Sequence, residues 1–89
     1  MIIFKIYEWD SKNILHILKH KVTPNEVEEV CYYNPLVFRT REGRYLLLGR
    51  SNAGRYLFIV LVPRGKGIVR VITARDMDFK ERRLFKRKR

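Results

Sequence analysis

The segment "RYLFIVLV", Arg55 to Val62, most constrains what this chain can fold into. It is apolar on both faces of an extended chain, and a strand of that kind belongs at the centre of a sheet. The segments around it read as its partners. "LVFRTR" meets "RYLLLGRS" across Glu42-Gly43, a short turn with a glycine available for positive φ. "NAG", Asn52 to Gly54, marks the next turn, "PRGKG", Pro63 to Gly67, another, and "IVRVITAR" is the last strand.

Before this block, residues Ile2 to Trp9 read as a strand rich in β-branched and aromatic residues. Asp10 is a helix N-cap, and "SKNILHILKH" follows with Ile14, Leu15 and Leu18 on one face. Thr23 and Glu26 have capping-box spacing, with Pro24 at the first helical position, where a missing N–H costs nothing. Val27 and Val30 point to the core beside Cys31, and Asn34-Pro35 ends the helix. Asp78 and Glu81 repeat the capping box and open a basic helix from Phe79 to about Lys86. The order is β-α-α-β-β-β-β-α. That predicts an α+β fold, with the helices on one face of a mostly antiparallel, twisted sheet.

The chain has 89 residues, which predicts one domain over 1–89. Twenty Lys+Arg against nine Asp+Glu give a net charge of +11, an excess that favours polyanionic partners such as RNA, DNA or an acidic protein segment. Cys31 is the one cysteine, so neither an internal disulfide nor a cysteine zinc site is expected, and a reducing, cytoplasmic setting is the simplest reading. "MIIFKIYEWD" is too short and too soon charged for a signal peptide or a membrane span, and no membrane partner is expected.

The carboxylates are scattered, and no HExxH, CxxC or phosphate-loop spacing occurs, so no metal or cofactor is expected. Cations and two histidines remain. Histidine titrates near neutral pH, and Lys and Arg stabilise charge on phosphate, which together suffice for RNA cleavage without a metal. Plainer roles stand beside this one. His20 can serve the carbonyls and dipole of a helix C-terminus. His16 reads as a solvated or hydrogen-bonded histidine, and Trp9 as a packing aromatic. Arg70 and Arg75 suit either edge-strand protection or a phosphate-binding surface. "KERRLFKRKR" reads as a solvated basic tail, anchored by Leu84 and Phe85.

Several stretches together resemble the BrnT toxins of bacterial toxin–antitoxin pairs, within the RelE-like ribonuclease group. They are "YEWD" at Tyr7 to Asp10, "KHKVTPNEVEEV", Asn34-Pro35, "RYLLLGRSNAGRYLFIVLV", "VRVITAR" and "ERRLF". The resemblance implies a RelE-like fold and a ribonuclease that inhibits translation by cutting mRNA, free or ribosome-associated. It also implies neutralisation by a BrnA-like antitoxin. Carried over residue by residue, it implies His20, Lys19, Arg50, Arg70, Arg75 and Glu81 as catalytic groups. Lys12, Arg55 and Arg82 are expected to contact RNA. The chain departs from the family at Lys21, where Gly is usual, at His16 for Asn, at Thr73 for Ser and at Phe85 for Tyr. The spacing from Trp9-Asp10 to Lys12 is one residue shorter. The rival reading is a basic RNA- or DNA-binding module that does not cut. A third is a basic surface that serves mainly to dock an acidic antitoxin.

Overall fold

Asp10 opens the first helix by local chemistry. Its carboxylate accepts from the N–H groups of Lys12 and Asn13, and the Asn13 side-chain oxygen accepts from the Asp10 N–H. These bonds satisfy groups that a first turn leaves without intrahelical partners. The structure, a computed structural model, describes residues 6–88. The part of the expected first strand over residues 2–5 lies outside the described residues.

Helix α1 is Ser11–Leu18 and α2 is Pro24–Tyr32, the latter opened by the Thr23–Glu26 capping box with Pro24 in its first turn. Strands β1 (Ile6–Glu8), β2 (Leu36–Arg39), β3 (Tyr45–Arg50), β4 (Tyr56–Gly65) and β5 (Ile68–Asp76) form one sheet in the order β1-β5-β4-β3-β2. The β1–β5 pair is parallel and the others are antiparallel. Helix α3, Phe79–Lys88, closes the described chain, and Asp78 and Glu81 bond each other's N–H groups at its start. Among the described residues no helix is long and apolar enough to cross a membrane.

Two expectations are corrected here. The helices do not share one face of the sheet. Ile17, Val22, Val27 and Val30 pack with Leu47, Leu57, Ile59 and Leu61. Leu48, Met77 and Phe85 form a second cluster with Tyr56 and Phe58. Neighbours on β3 and β4 alternate between the clusters, so α1 and α2 cover one face and α3 the other. This is why the central strand is apolar on both sides. The α1 face also differs. Ile17 and Asn13 are buried, whereas Leu15 and Leu18 are 59% and 53% exposed. The Asn13 amide donates to the carbonyls of Glu8 and Val71 at 2.8 and 3.1 Å, and so turns a polar residue inward.

The β4–β5 hairpin is longer than the "PRGKG" signal implies. Pro63 to Gly65 continue β4, and only Lys66 and Gly67 form the turn. The ladder shifts register at Pro63/Gly65, the kind of irregularity at which a strand tolerates proline. A second shift pairs Val60 with Thr73 and Leu61 with Val71, leaving Ile72 as the extra residue of a bulge. Because Arg70, Thr73 and Arg75 lie opposite Val62, Val60 and Phe58, the bulge brings all three onto the α3 face.

Candidate active site

Among the described residues no strand pairs with β5 on its β1 side beyond Arg70, and α1 packs against β5. His16 of α1 meets that edge, its Nε2 hydrogen-bonded to Thr73 Oγ1 at 3.0 Å. His20 follows the C-cap Lys19, and its N–H donates to the Ile17 carbonyl at 3.0 Å. Its ring stands edge-on to that of His16, with centroids 5.8 Å apart. The two imidazoles are therefore adjacent and exposed, and they lie beside the strand that carries Arg75. Lys12 and Lys19 are exposed on the same helix and its cap.

Arg55 fixes the backbone that carries His20. Its guanidinium donates to the Lys21 carbonyl at 2.6 Å and to the His20 carbonyl at 3.4 Å. It also bonds the Glu26 carboxylate at 3.1 Å and the Asp76 carboxylate at 3.1 Å. Asp76 first, then Glu26, holds the guanidinium charged beyond its ordinary range. Arg55 thus gathers the α1–α2 turn, the α2 cap and the end of β5. Lys21 sits in this turn with φ +59°, the left-handed conformation that glycine adopts freely.

Two more arginines face carboxylates. Arg70 Nη1 lies 3.1 Å from Glu8 and 2.9 Å from Asp10, and Arg64 adds a 3.4 Å contact to Glu8. The Arg70 hydrogen bond, helped by the Asn13 N–H, pulls the Asp10 carboxyl down to about 2. Arg75 grips both oxygens of Glu81 at 2.9 Å and lies 4.1 Å over the Phe58 ring, tying β5 to α3. Arg50 and Arg82 are held differently, stacked 4.9 and 4.4 Å from the Tyr56 ring with Lys86 at 5.4 Å. Phe85 meets the same ring edge-on at 5.9 Å.

The family profile described as "Ribonuclease toxin, BrnT, of type II toxin-antitoxin system" matches residues 9–81. The chain belongs to the BrnT family. It is a ribonuclease toxin family of type II toxin–antitoxin systems, so an antitoxin partner and an RNA substrate come with membership. The crystal structure of the Brucella abortus ribonuclease toxin BrnT superposes with a TM-score of 0.65 at 22% identity, over 85% of this chain and 97% of that one. That likeness concerns the fold. A search of curated proteins found no significant match.

Within this BrnT chain six of the nine expected site residues fall into three groups. Lys19 caps α1 and His20 follows it. Arg75 and Glu81 form a pair between β5 and α3. Arg50 and Arg82 share the Tyr56 ring. Arg55 and Arg70 are bound to carboxylates inside the molecule, and Lys12 stands on the exposed side of α1. Sequence reasoning did not select His16, Thr73 or Tyr56. The four-residue spacing of His16 and His20 was the available signal for the first of these. Among the described residues no three His, Cys, Asp or Glu side chains gather as metal ligands do.

Proposed function

We propose that this chain is an endoribonuclease toxin that cleaves mRNA, free or on the ribosome, without a metal ion and so inhibits translation in the cytoplasm. A BrnA-like antitoxin neutralises it by covering the cationic face. Membership of the BrnT family supports the ribonuclease, and the adjacency of His16 and His20 beside β5 is the observation that carries the mechanism. One imidazole takes the proton of a ribose 2′-OH. That oxygen bonds to the adjacent phosphorus while the bond to the 5′ oxygen breaks. The leaving oxygen takes a proton from a protonated acid, giving a 2′,3′-cyclic phosphate and a 5′-OH. His20 is the primary proton carrier, with His16 beside it. Lys19 and Arg75 stabilise the charge that builds on the scissile phosphate, and Arg50 binds the strand beside it. Glu81 orients Arg75 through its two hydrogen bonds. Arg70 and Arg55 act from behind, on Asp10 and on the His20 turn.

Cleavage of total RNA in EDTA by wild-type and His20→Ala protein tests this reading. Loss of general acid–base chemistry is expected to slow cleavage by about 10²–10⁴-fold. Equal rates would remove His20 from the mechanism. Phe85 favours a second reading. It is buried against Tyr56 and brings no hydroxyl where the family usually has Tyr, which suits an RNA-binding protein that does not cut. Intact RNA that shifts on a gel in a salt-sensitive way, with and without translating ribosomes, would select it.

A further inference from the structure

Three cations crowd one phenol ring with no carboxylate among them. Arg50, Arg82 and Lys86 all approach Tyr56, and among the described residues none of the three forms an ion pair. Arg55, Arg70 and Arg75, by contrast, each bond at least one carboxylate. Stacking fixes a guanidinium in place but leaves its charge and its in-plane N–H donors available. Like charges held together repel, and an external anion relieves that repulsion.

Arg50 is also held from its other side. A Cβ on Gly54 would lie 3.0 Å from Arg50 Nη2, and Gly54 has φ +89°, so the bare glycine gives the guanidinium room against the backbone. Arg50, Gly54 and Phe85 line an open cavity of about 600 Å³ together with Tyr33 and Asn52. Tyr33 is 58% exposed, an aromatic surface beside a row of cations. Arg82 and Lys86 stand one turn apart on α3 and share the Tyr56 ring with Arg50, which lines the cavity.

We infer that this cavity and the cations gathered at Tyr56 beside it form a subsite for one nucleotide of single-stranded RNA, its phosphate held by Arg50, Arg82 and Lys86 and its base stacked on Tyr33. The inference rests on the ribonuclease reading above and adds where a nucleotide outside the scissile bond is held. Phosphate contacts and aromatic stacking have different signatures. Each phosphate contact contributes about 0.7 to the slope of log K against log salt for a single strand, whereas stacking contributes affinity without ion release.

The test is fluorescence anisotropy of the full chain with a short 2′-O-methyl oligoribonucleotide across a salt series. This probe lacks the 2′-OH nucleophile, so binding is read apart from cleavage. Arg50→Gln with Arg82→Gln is expected to weaken binding and flatten the slope by about 0.7, the share of one phosphate. Tyr33→Ala is expected to weaken binding about 5- to 150-fold with the slope unchanged. Lys66→Gln, in the turn at the far end of β4, is the control and should cost little. The subsite is refuted by an unchanged slope in the double variant, by unchanged affinity in Tyr33→Ala, or by a Lys66→Gln loss as large as that of the double variant. Displacement of the RNA by polyglutamate at equal charge and equal affinity would refute it in favour of an acidic-protein surface. If the wild type leaves total RNA intact while these binding results hold, the catalytic reading fails and the subsite stands.

Discussion

The Nη1 of Arg55 donates to the carbonyl oxygen of Lys21 at 2.6 Å, and so the residue just before β4 fixes the turn that presents His20. Arg55→Gln is expected to lose about 2 kcal/mol of stability, because hydrogen bonds to charged partners are broken. It is also expected to slow single-turnover cleavage by about 10²-fold, since small misplacement of a reacting group is costly. Binding of non-cleavable RNA should change little. A cleavage rate equal to wild type in a folded variant would show that Arg55 has no positioning role.

Lys21 carries a left-handed backbone with φ +59°. For a residue with a Cβ this costs roughly 1–2 kcal/mol. Lys21→Gly removes that cost and gives part of it back as unfolded-state entropy. Urea denaturation should show a net gain of about 0.5–1 kcal/mol. A loss of stability would mean that the lysine side chain supports the turn in some other way.

Asp10 predicts an acid limb to stability. Its carboxyl stands at about 2 in the folded chain against an ordinary 3.8. The depressed value contributes stability that is present above the ordinary pKa and is lost as pH falls from 3.8 towards 2. Asp10→Asn keeps an effective N-cap but removes the charge that Arg70 holds. Urea midpoints measured through this window should fall less steeply for Asp10→Asn than for wild type. Parallel curves would assign the acid limb to other carboxylates.

Gly49 is buried in β3 where α2 and Pro35 cross it. A Cβ there would lie 2.7 Å from Val30 Cγ1 and 3.3 Å from Pro35 Cβ. Gly49→Ala should cost about 1–3 kcal/mol through overpacking, read as a lower urea midpoint at constant slope. A neutral result would show that α2 moves away without penalty.

The three helix starts were legible in the sequence because Asp10, Thr23 and Asp78 satisfy donors only a few residues away. The central strand was legible because two covered faces need an apolar residue at every position. The inward face of α1 was not, since Asn13 is turned inward by carbonyls that include Val71, 58 residues on. The choice of one face or two for the helices was hidden as well, because it depends on where α3 docks after the last strand. At the site, the sequence supplied the cations but not their partners. Arg70 and Arg50 look alike in a string of letters. One is held by Asp10 from 60 residues away, and the other rests on an aromatic ring.

The parallel pairing of β1 with β5 has a consequence for the order of assembly. Contacts that join α1 to the sheet, such as His16 with Thr73, close a separation of 57 residues. Such closures carry their entropy cost before any contact rewards it, so they form late. During synthesis, both imidazoles emerge well before the strand edge that they face. An incomplete nascent chain therefore holds both histidines without the strand edge that they face in the folded protein.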